Sequence, residues 1–425
     1  MLQIQVLRDH PQWVKNKLLS RYFDKIELVD EILDADITRK GIQSEIEQIQ
    51  TLINLKSGSI GKFMKSGRSG NIEEEKAEVV KAKEKLIELK NDIKICDKEI
   101  HDRLVLLPNL PDILVPLGKS AEENEIIASP TDLPTLDSKN NKPHWELIEE
   151  YNLVNFELGS KITGRGFPLY INKGAKLQRA LTQYFLNFNV DAGYTECIPP
   201  FMVNEESAFA TGQLPDKEGQ MYHVTEDNFF LIPTAEVPVT NIYRDTVLKE
   251  SDLPIKMTAH SPCFRREAGS FGKDVRGLNR VHQFEKVEIV QIVHPEKSED
   301  ALNEMVNHVG SLLTSLELPY RILRLCGGDM GFTSSITYDF EVWSAAQEKW
   351  LEVSSVSNFK TFQTNRLKCR FKDIEGKNRL AHSLNGSSLA LPRIFAALIE
   401  NNQTEEGILI PEALQSYFGS NIIKK

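Results

Sequence analysis

Residues 262–288 read PCFRREAGSFGKDVRGLNRVHQFEKVE, two strand-like segments on either side of a charged loop. Alternate side chains of an extended segment share a face, so Arg265 and Glu267 are predicted to lie together. The same period gives the returning strand one face with three side chains: Phe284, Lys286 and Glu288. This set suits ATP, because a guanidinium group binds phosphate through forked hydrogen bonds and an aromatic ring can stack on adenine.

The surrounding chain has 425 residues, of which 40% are hydrophobic and 26% are charged. This balance is ordinary for a globular protein and excludes collagen-like, mucin-like and disordered chains. At about 100–200 residues per domain, the length predicts two or three domains. No apolar stretch approaches the ~18–20 residues of a membrane helix, and the N-terminus lacks the pattern of a secretion signal. We therefore expect a cytoplasmic protein without a membrane span.

The cysteine pattern and the net charge limit the kinds of site. Five cysteines are scattered without a CxxC pair, which argues against a disulfide framework and a cysteine zinc site. We expect no zinc. The 51 basic and 61 acidic residues give a formal net charge of −10, which disfavours indiscriminate nucleic-acid binding. Any contact with nucleic acid must be local.

Two heptad patterns precede the polar segment. Apolar residues between about 26 and 64 recur at alternating spacings of four and three, and a second such run covers 79–100. The short connection between them requires antiparallel helices. We predict a coiled-coil arm over about 26–104. At 1.5 Å per residue, helices of this length extend roughly 50–60 Å, so the arm is expected to stand in solvent.

The distal part of this arm is locally basic. Residues 48–72 include no acidic side chain, but they include Lys56, Lys62, Lys65 and Arg68. Two interpretations remain open from the charges alone. The tip binds RNA phosphates, or it is an ordinary solvated face, since lysine-rich helices are common.

Composition changes after the arm indicate the domain organisation. The stretch LLPNLP at 106–111 ends the second helix, and residues 113–143 are rich in Pro, Ser, Asn and Asp. We predict an N-terminal domain over 1–112, a linker over 113–143 and a second domain over 144–425. A helix is predicted near 175–188, and strands are predicted at 229–240, 257–266, 281–293, 338–343 and 350–359. Adjacent strands without helices between them favour an α+β domain with an antiparallel sheet flanked by helices.

A series of short motifs carries a family resemblance. Phe-Arg-x-Glu, an arginine-bearing loop and a returning strand resemble the second signature motif of class II aminoacyl-tRNA synthetases. The further motifs are LPNLP at 107–111, TGQLP at 211–215, TAE at 234–236, RGLNRVHQF at 276–284, GDMG at 328–331, EVW at 341–343, EVSS at 352–355 and LNGS at 384–387. Together with the arm, their order is similar to that of the seryl-tRNA synthetases, bacterial type.

The resemblance implies an ATP site. Arg265 would hold the α-phosphate, Glu267 the adenine amino group and Phe284 the adenine ring, while Arg280 and Arg393 would bind the terminal phosphates. Arg265 and Arg393 would be catalytic. The other implied ATP contacts are Arg266, Val281, Glu352, Val353, Ser354 and Ser355. Of these, Glu352 and Ser355 would hold Mg²⁺, a cation that prefers oxygen ligands. They have opposite parity on an ideal strand, so a bulge or a strand end is required if both reach one ion.

The resemblance also implies a serine site, a reaction and partners. The serine-binding residues would be Thr234, Ala235, Glu236, Arg265, Glu288, Asn385 and Ser387. Serine would be activated to seryl-adenylate with release of pyrophosphate and then transferred to the 3′-terminal ribose of tRNA(Ser), and possible use of tRNA(Sec) stays open. The arm, through Lys56, Lys62, Lys65 and Arg68, would bind tRNA. The first motif, with Pro200 or its rival Pro199, would build a homodimer interface.

Departures and alternatives remain. The third signature motif usually has glycines near its arginine, whereas Pro392 precedes Arg393 here and could change the start of that helix. His282 has the wrong parity for the ATP face and is interpreted as structural. One alternative function is a ligase that loads a small amino acid onto a carrier protein. Another is a non-catalytic coiled-coil protein that binds RNA.

Overall fold

The fold is described from a computed structural model, which covers residues 1–66, 72–134, 136, 141–216, 219–267 and 276–425. Two compact units are present. The first comprises Met1–Leu19 and Phe23–Pro108, and the second comprises Ser20–Tyr22 and Asn109–Lys425. The predicted domain limits, including the separate linker, stay predictions.

The N-terminal unit is helical. Its helices are α1 (Ile4–Asp9), α2 (Pro11–Leu19), α3 (Leu28–Ser66) and α4 (Ile72–Leu104). Helices α3 and α4 form the arm and pack through the predicted seam, with Ile53, Val79 and Leu86 buried. The sequence predicts that Gly67 ends the first of these helices and that Asn71 caps the start of the second, and both residues lie outside the described residues.

Ion pairs across the arm confirm the antiparallel arrangement. They join Glu31 to Arg103 at 3.0 Å, Arg39 to Asp97 at 2.5 Å, and Lys56 to Glu78. As the residue numbers rise along α3, they fall along α4. The side chains in these three ion pairs are partly exposed, so each pair contributes about 1 kcal/mol or less to stability. The pairs chiefly favour one register of the two helices.

The two glycines near the arm tip weaken α3. Gly58 and Gly61 are exposed and helical, and a Cβ atom at either position would meet no atom within 4 Å. Replacing Gly58 by alanine should therefore stabilise the local helix by about 1 kcal/mol, because alanine loses less backbone entropy. We expect amide hydrogen exchange around residues 54–62 to slow about fivefold. Gly159→Ala is a control with the opposite expected effect on stability. Its Cβ would lie 2.0 Å from the Phe167 carbonyl oxygen, so this substitution should destabilise the protein. Unchanged exchange around Gly58 would contradict the prediction.

The C-terminal unit is built on one large sheet. Among the described residues, its eight strands are β1 (Glu125–Ala128), β2 (Thr195–Glu196), β3 (Ile255–Phe264), β4 (Gln283–Val293), β5 (Tyr320–Arg324), β6 (Ile336–Ser344), β7 (Lys349–Lys360) and β8 (His382–Ala390). The spatial order is β1-β5-β6-β7-β8-β4-β3-β2. Neighbours are antiparallel except β2 and β3, which are parallel. The predicted antiparallel α+β fold is thus present.

Helices flank this sheet. They are α5 (His144–Glu150), α6 (Phe156–Ile162), α7 (Asn172–Asp191), α8 (Glu205–Thr211), α9 (Glu236–Asn241), α10 (Ser298–Ser315), α11 (Thr361–Leu367), α12 (Leu391–Asn401) and α13 (Glu412–Phe418). The main core joins α7, α10 and α12 to the sheet. On β4, Val287 and Ile289 belong to this core, so the alternate residues are left for the opposite face. Within the described ranges, no helix is both long and apolar enough to cross a bilayer.

Smaller ribbons complete the unit. In the first, Val154–Asn155 pairs with Leu169–Tyr170, and in the second, Phe229–Leu231 pairs with both Met202–Asn204 and His223–Val224. In the third, Arg370–Lys372 pairs with both Val247–Lys249 and Asn378–Leu380. In the fourth, Gly407–Leu409 pairs with both Gln403–Thr404 and Ile422–Ile423. Single 3₁₀ turns span Ala121–Glu123, Glu250–Asp252 and Pro295–Lys297.

Two details differ from the sequence-based expectations. The strand predicted over 229–240 ends at Leu231, and Glu236 begins helix α9 instead. The apolar residues there continue into a short buried helix, which periodicity cannot distinguish from a strand. Residues 113–143, interpreted as a linker, supply strand β1, which pairs with β5 at the sheet edge. Its four residues are exposed and too few to give a periodic signal.

Candidate active site

One cleft in the C-terminal unit, with a volume of about 520 Å³, is lined by most of the predicted site residues. These are Thr234, Glu236, Arg265, Glu267, Arg280, Val281, Phe284, Glu352, Val353, Ser354, Ser355, Asn385, Ser387 and Arg393. The other predicted residues do not line it. Ala235 is fully buried, Glu288 is buried behind the cleft wall, and Arg266 is exposed. The roles assigned to all these residues stay predictions.

Arg265 and Phe284 both line the cleft. The guanidinium carbon of Arg265 lies 5.3 Å from the centre of the Phe284 ring. The expectation that Arg265 and Glu267 share a strand face is wrong, because β3 ends at Phe264. Both nevertheless line the cleft. The backbone N–H of Arg265 donates to the His282 carbonyl at 2.9 Å, which continues the strand pairing by one residue beyond β3. A cation and an aromatic face are thus presented together.

Glu267 follows where the chain reverses. Its φ of 48° lies in the left-handed region, which non-glycine residues seldom adopt. Its carboxylate accepts a hydrogen bond from Arg280 at 3.0 Å. The residues between them that would complete this loop, at 268–275, lie outside the described residues. The pair sets an acidic and a basic group at the rim beside Phe284.

Arg393 lies at the start of helix α12. Pro392 occupies the first turn, where a missing backbone N–H costs no helical hydrogen bond, so the helix begins normally. The guanidinium group donates to the carbonyl oxygens of Asn279 at 3.1 Å and Glu352 at 2.6 Å. The Glu352 carboxylate lies 3.8 Å away. Arg393 is therefore held at the cleft wall by two different elements.

A buried histidine fixes the loop that leads into β4, a feature the sequence analysis missed. The backbone N–H of Leu278 donates to His144 Nε2 at 2.9 Å. That nitrogen is therefore an acceptor, so Nδ1 carries the proton and donates to Glu400 at 2.7 Å. The two partners lie 256 residues apart in the chain. No local pattern could have indicated this pair.

Two buried carboxylates lie close together at this site, of which Glu236 lines the cleft and Glu288 does not. Glu288 is only 1% exposed and lies 2.6 Å from the ammonium group of Lys286. It also accepts hydrogen bonds from Thr234 Oγ1 at 3.0 Å and Asn385 Nδ2 at 3.1 Å. Burial raises the pKa of Glu288, while Lys286 acts against that rise. Three donors leave little capacity for another, because a carboxylate has about four lone-pair sites.

Glu236 has more free capacity than Glu288. Its Oε1 accepts a hydrogen bond from Gln363 at 2.7 Å, and its backbone N–H donates to Thr234 Oγ1 at 3.2 Å. Burial, followed by repulsion from Glu288, raises the pKa of Glu236 to about 7. The Thr-Ala-Glu motif thus ends in a buried carboxylate that lines the cleft.

Two family models match this chain. A model described as "Seryl-tRNA synthetase N-terminal domain" matches residues 1–111, and one described as "tRNA synthetase class II core domain (G, H, P, S and T)" matches residues 222–402. A serine–tRNA ligase from Salinibacter ruber is 47% identical over 421 residues, which cover 99% of this chain and 98% of the relative. The chain belongs to the seryl-tRNA synthetase family. A serine–tRNA ligase from Methylacidiphilum infernorum is 44% identical, and the match covers 98% of this chain and 99% of the relative.

Solved seryl-tRNA synthetases have the same fold. The crystal structure of the Pyrococcus horikoshii enzyme complexed with ATP matches with a TM-score of 0.94 at 33% identity, covering 100% of this chain and 99% of that chain. The cytoplasmic Naegleria fowleri enzyme in complex with AMP matches with a TM-score of 0.89 at 26% identity and the same coverage. The predictions of family, fold class and enzyme class are confirmed.

The family resemblance implies a magnesium site at Glu352 and Ser355, and the side chains at this position fit such a site. Strand β7 has a bulge opposite Phe340 and Glu341, so Glu352 and Ser355 both line the cleft despite their opposite parity. The Ser355 hydroxyl donates a hydrogen bond to Asp339 at 2.6 Å, so the lone pairs of the hydroxyl oxygen of Ser355 stay available for a cation. Burial, followed by repulsion from Glu352, raises the pKa of Asp339. Added positive charge would relieve this repulsion.

Among the described residues, no group of three or more His, Cys, Asp or Glu side chains is arranged to hold a metal ion. The His282 ring stacks on Phe167, with ring centres 5.3 Å apart, and its Nδ1 lies 3.0 Å from the Tyr222 hydroxyl. It does not line the cleft, consistent with the structural interpretation.

The predicted tRNA-binding residues of the arm differ in environment. Lys56 forms an ion pair with Glu78 across the coiled coil, so its charge is partly neutralised. Lys62 and Lys65 are exposed. Arg68 lies outside the described residues. The structure therefore favours Lys62 and Lys65 over Lys56 as phosphate contacts, and the role of all four stays a prediction.

Several cleft residues were not predicted. Lys286 shares the face of Phe284, and the period of two had already placed it there, although no role was assigned. Asn279 and Gln213 also line the cleft. Gln363 contacts Glu236 from α11, and Asp339 contacts Ser355 from β6. The contact of Gln363 with Glu236 joins segments 127 residues apart, so nothing in the local sequence indicates it. Asp339 lies opposite Ser355 on the paired strand, and this register was not specified by the sequence analysis.

Proposed function

We propose that this protein is a serine–tRNA ligase. It activates L-serine with ATP to form seryl-adenylate and pyrophosphate, and it transfers the seryl group to the 3′-terminal ribose of tRNA(Ser). The observation that carries the proposal is a cleft that is lined both by Arg265, which lies over Phe284, and by the buried carboxylate of Glu236. A phosphate and adenine fit the arginine and the aromatic ring, and an ammonium group fits the carboxylate.

In the first step the two substrates react within this cleft. With its ammonium group at Glu236, serine directs a carboxylate oxygen toward the α-phosphorus of ATP. Arg265 binds the α-phosphate and compensates the charge that develops there, and Arg393 and Arg280 bind the terminal phosphates. The new bond is from carboxylate oxygen to phosphorus, and the bond to pyrophosphate breaks. Positioning and charge compensation supply most of the acceleration in such phosphoryl transfers.

Serine selection follows from the polar pocket. Thr234, Asn385 and Ser387 surround Glu288 and Lys286, and each presents a hydroxyl, amide or charged group. A site that hydrogen-bonds a substrate hydroxyl rejects the analogue without it, because buried groups are then left unpaired. Alanine should therefore be a very poor substrate.

Magnesium belongs to the same proposal. Glu352 and Ser355 would hold the ion, and the Asp339 carboxylate accepts a hydrogen bond from the Ser355 hydroxyl. When bound, the ion would neutralise phosphate charge. This donor set consists of oxygen atoms, which is the preference of Mg²⁺.

The remaining roles are proposed at the level of domains. Residues 1–112 bind tRNA through the arm, residues 144–425 catalyse both steps, and residues 113–143 connect them. The arm recognises the shape and phosphates of tRNA(Ser), because locally basic side chains read no base sequence. We also propose a homodimer formed through the segment around Pro200, located in the cytoplasm where tRNA is charged.

Charging of tRNA tests this proposal directly. The protein, ATP and Mg²⁺ are incubated with labelled serine and tRNA(Ser), and acid-stable label on the tRNA is counted. We expect label with tRNA(Ser) and none with a tRNA for alanine. Transfer of serine to a carrier protein but not to any tRNA would favour the carrier-ligase alternative instead.

A further inference from the structure

Gln363 is a buried glutamine next to the cleft with no role in the chemistry above. It lies on α11, is 1% exposed and does not line the cleft. Its Nε2 donates to Glu236 Oε1 at 2.7 Å and to the Thr211 carbonyl at 3.3 Å. Its Oε1 accepts a hydrogen bond from the Ser383 hydroxyl at 2.8 Å. Three separate elements therefore converge on one amide group.

These partners fix the orientation of the amide. The Glu236 carboxylate and the Thr211 carbonyl are both acceptors, so the end of Gln363 that faces them must be the NH₂ group. A flipped amide would place oxygen against two oxygens. The Ser383 hydroxyl at the other end can donate, which completes the set. Gln363 therefore presents a fixed donor to Glu236.

The charge of Glu236 depends on this donor. Burial and Glu288 raise its pKa to about 7, while Gln363, Lys286 and Arg265 oppose that rise. A neutral amide stabilises the carboxylate through a hydrogen bond but does not cancel its charge. An arginine or lysine in the same place would form an internal ion pair. The charge of Glu236 thus stays available to a ligand cation.

We propose that Gln363 is a positioning residue that keeps Glu236 ionised and aimed into the cleft, so that Glu236 binds the ammonium group of the amino-acid substrate. This inference rests on the proposed function, since it assigns the amino group of serine to Glu236. Gln363 itself does not touch the substrate.

Gln363→Met tests the inference, because methionine has a similar length but donates no hydrogen bond. The KM values for serine and ATP are measured by ATP–pyrophosphate exchange across the pH range. Without the amide, Glu236 should titrate about one unit higher, which raises the serine KM about tenfold near pH 6.5 and less than about twofold near pH 9. Expressing each KM relative to wild type cancels the titration of serine itself. The KM for ATP should change less than about twofold.

Gln363→Glu supplies a second variant in case the methionine variant does not fold. It is isosteric, but it sets a second carboxyl group against Glu236, and two such groups cannot both ionise easily. The serine KM should again rise most at low pH. The matched control is Gln291→Met, which replaces another fully buried glutamine, bonded to Tyr194 at 2.8 Å and outside the cleft. This control should keep the wild-type serine KM at every pH.

The outcomes separate the inference from the function on which it rests. A serine KM ratio that does not vary with pH in a folded Gln363 variant would overturn the inference alone, as would an equal rise in the KM for ATP. An equal pH-dependent change in the Gln291 control would also overturn it. Absence of serine-dependent exchange in the wild-type protein would refute the proposed function and this inference with it.

Discussion

Arg265→Ala is expected to lower serine-dependent ATP–pyrophosphate exchange by about 10³-fold or more, the scale seen when an arginine that compensates phosphoryl charge is removed. The Arg265 guanidinium group lines the cleft and stacks on Phe284 at 5.3 Å. Among the described residues, none forms an ion pair with it. Its charge is therefore available for the α-phosphate, and its loss should reduce kcat as well as kcat/KM.

Arg265→Lys and Arg321→Ala complete this experiment. Lysine keeps the charge but loses the forked geometry, so activity should lie between wild type and the alanine variant. Arg321 is the matched control, because it stacks on Trp350 at 4.8 Å but lies outside the cleft. Its removal tests the loss of arginine–aromatic packing together with the loss of its ion pair to Glu341 at 2.5 Å, and it should keep exchange within about threefold of wild type. Near-normal exchange by Arg265→Ala would contradict the assigned role.

Removing the distal arm should separate the two reaction steps. The ion pairs place Arg39 opposite Asp97, so Ile42 and Lys94 face each other three residues further along. Deleting residues 43–93 and closing the gap with a short Gly-Ser turn therefore preserves the register at the base of the arm. Exchange should remain within about twofold, because the described residues that line the cleft all belong to the C-terminal unit, whereas kcat/KM for tRNA charging should fall at least about 100-fold.

Salt dependence distinguishes a phosphate-binding arm from a structural one. Lys62→Ala with Lys65→Ala should weaken tRNA binding and reduce the slope of log affinity against log salt by roughly two. Lys56→Ala should change the slope less, since Glu78 already pairs with Lys56. Charging at the wild-type rate by the deletion variant would contradict the arm's role.

Much of the fold, and the presence of several predicted side chains in one cleft, could be predicted from sequence, because the relevant patterns are local. The heptads specified the antiparallel arm, and a period of two placed Phe284 and Lys286 on one face. The parity of Glu352 and Ser355 required a bulge, and one lies opposite Phe340 and Glu341. Each of these predictions used residues within a single element or an adjacent pair.

The rest depended on long-range packing. Helix α9 was predicted as a strand, because the short apolar run before Asn241 fits either structure. The burial that raises the pKa of Glu236 comes from surrounding elements, and Gln363 reaches it across 127 residues of sequence. The pair of His144 and Glu400 is similarly distant. Side chains that position other side chains leave no spacing pattern in a single sequence.

The central claim is that this cleft activates serine and no other amino acid. It is tested most directly by ATP–pyrophosphate exchange with each of the twenty amino acids in turn, with Mg²⁺ present and tRNA absent. We expect exchange with serine, and with alanine at least about 10⁴-fold less, because the pocket would leave buried polar groups unpaired. Exchange with a different amino acid would contradict the assigned pocket, and exchange with none would contradict the catalytic function itself.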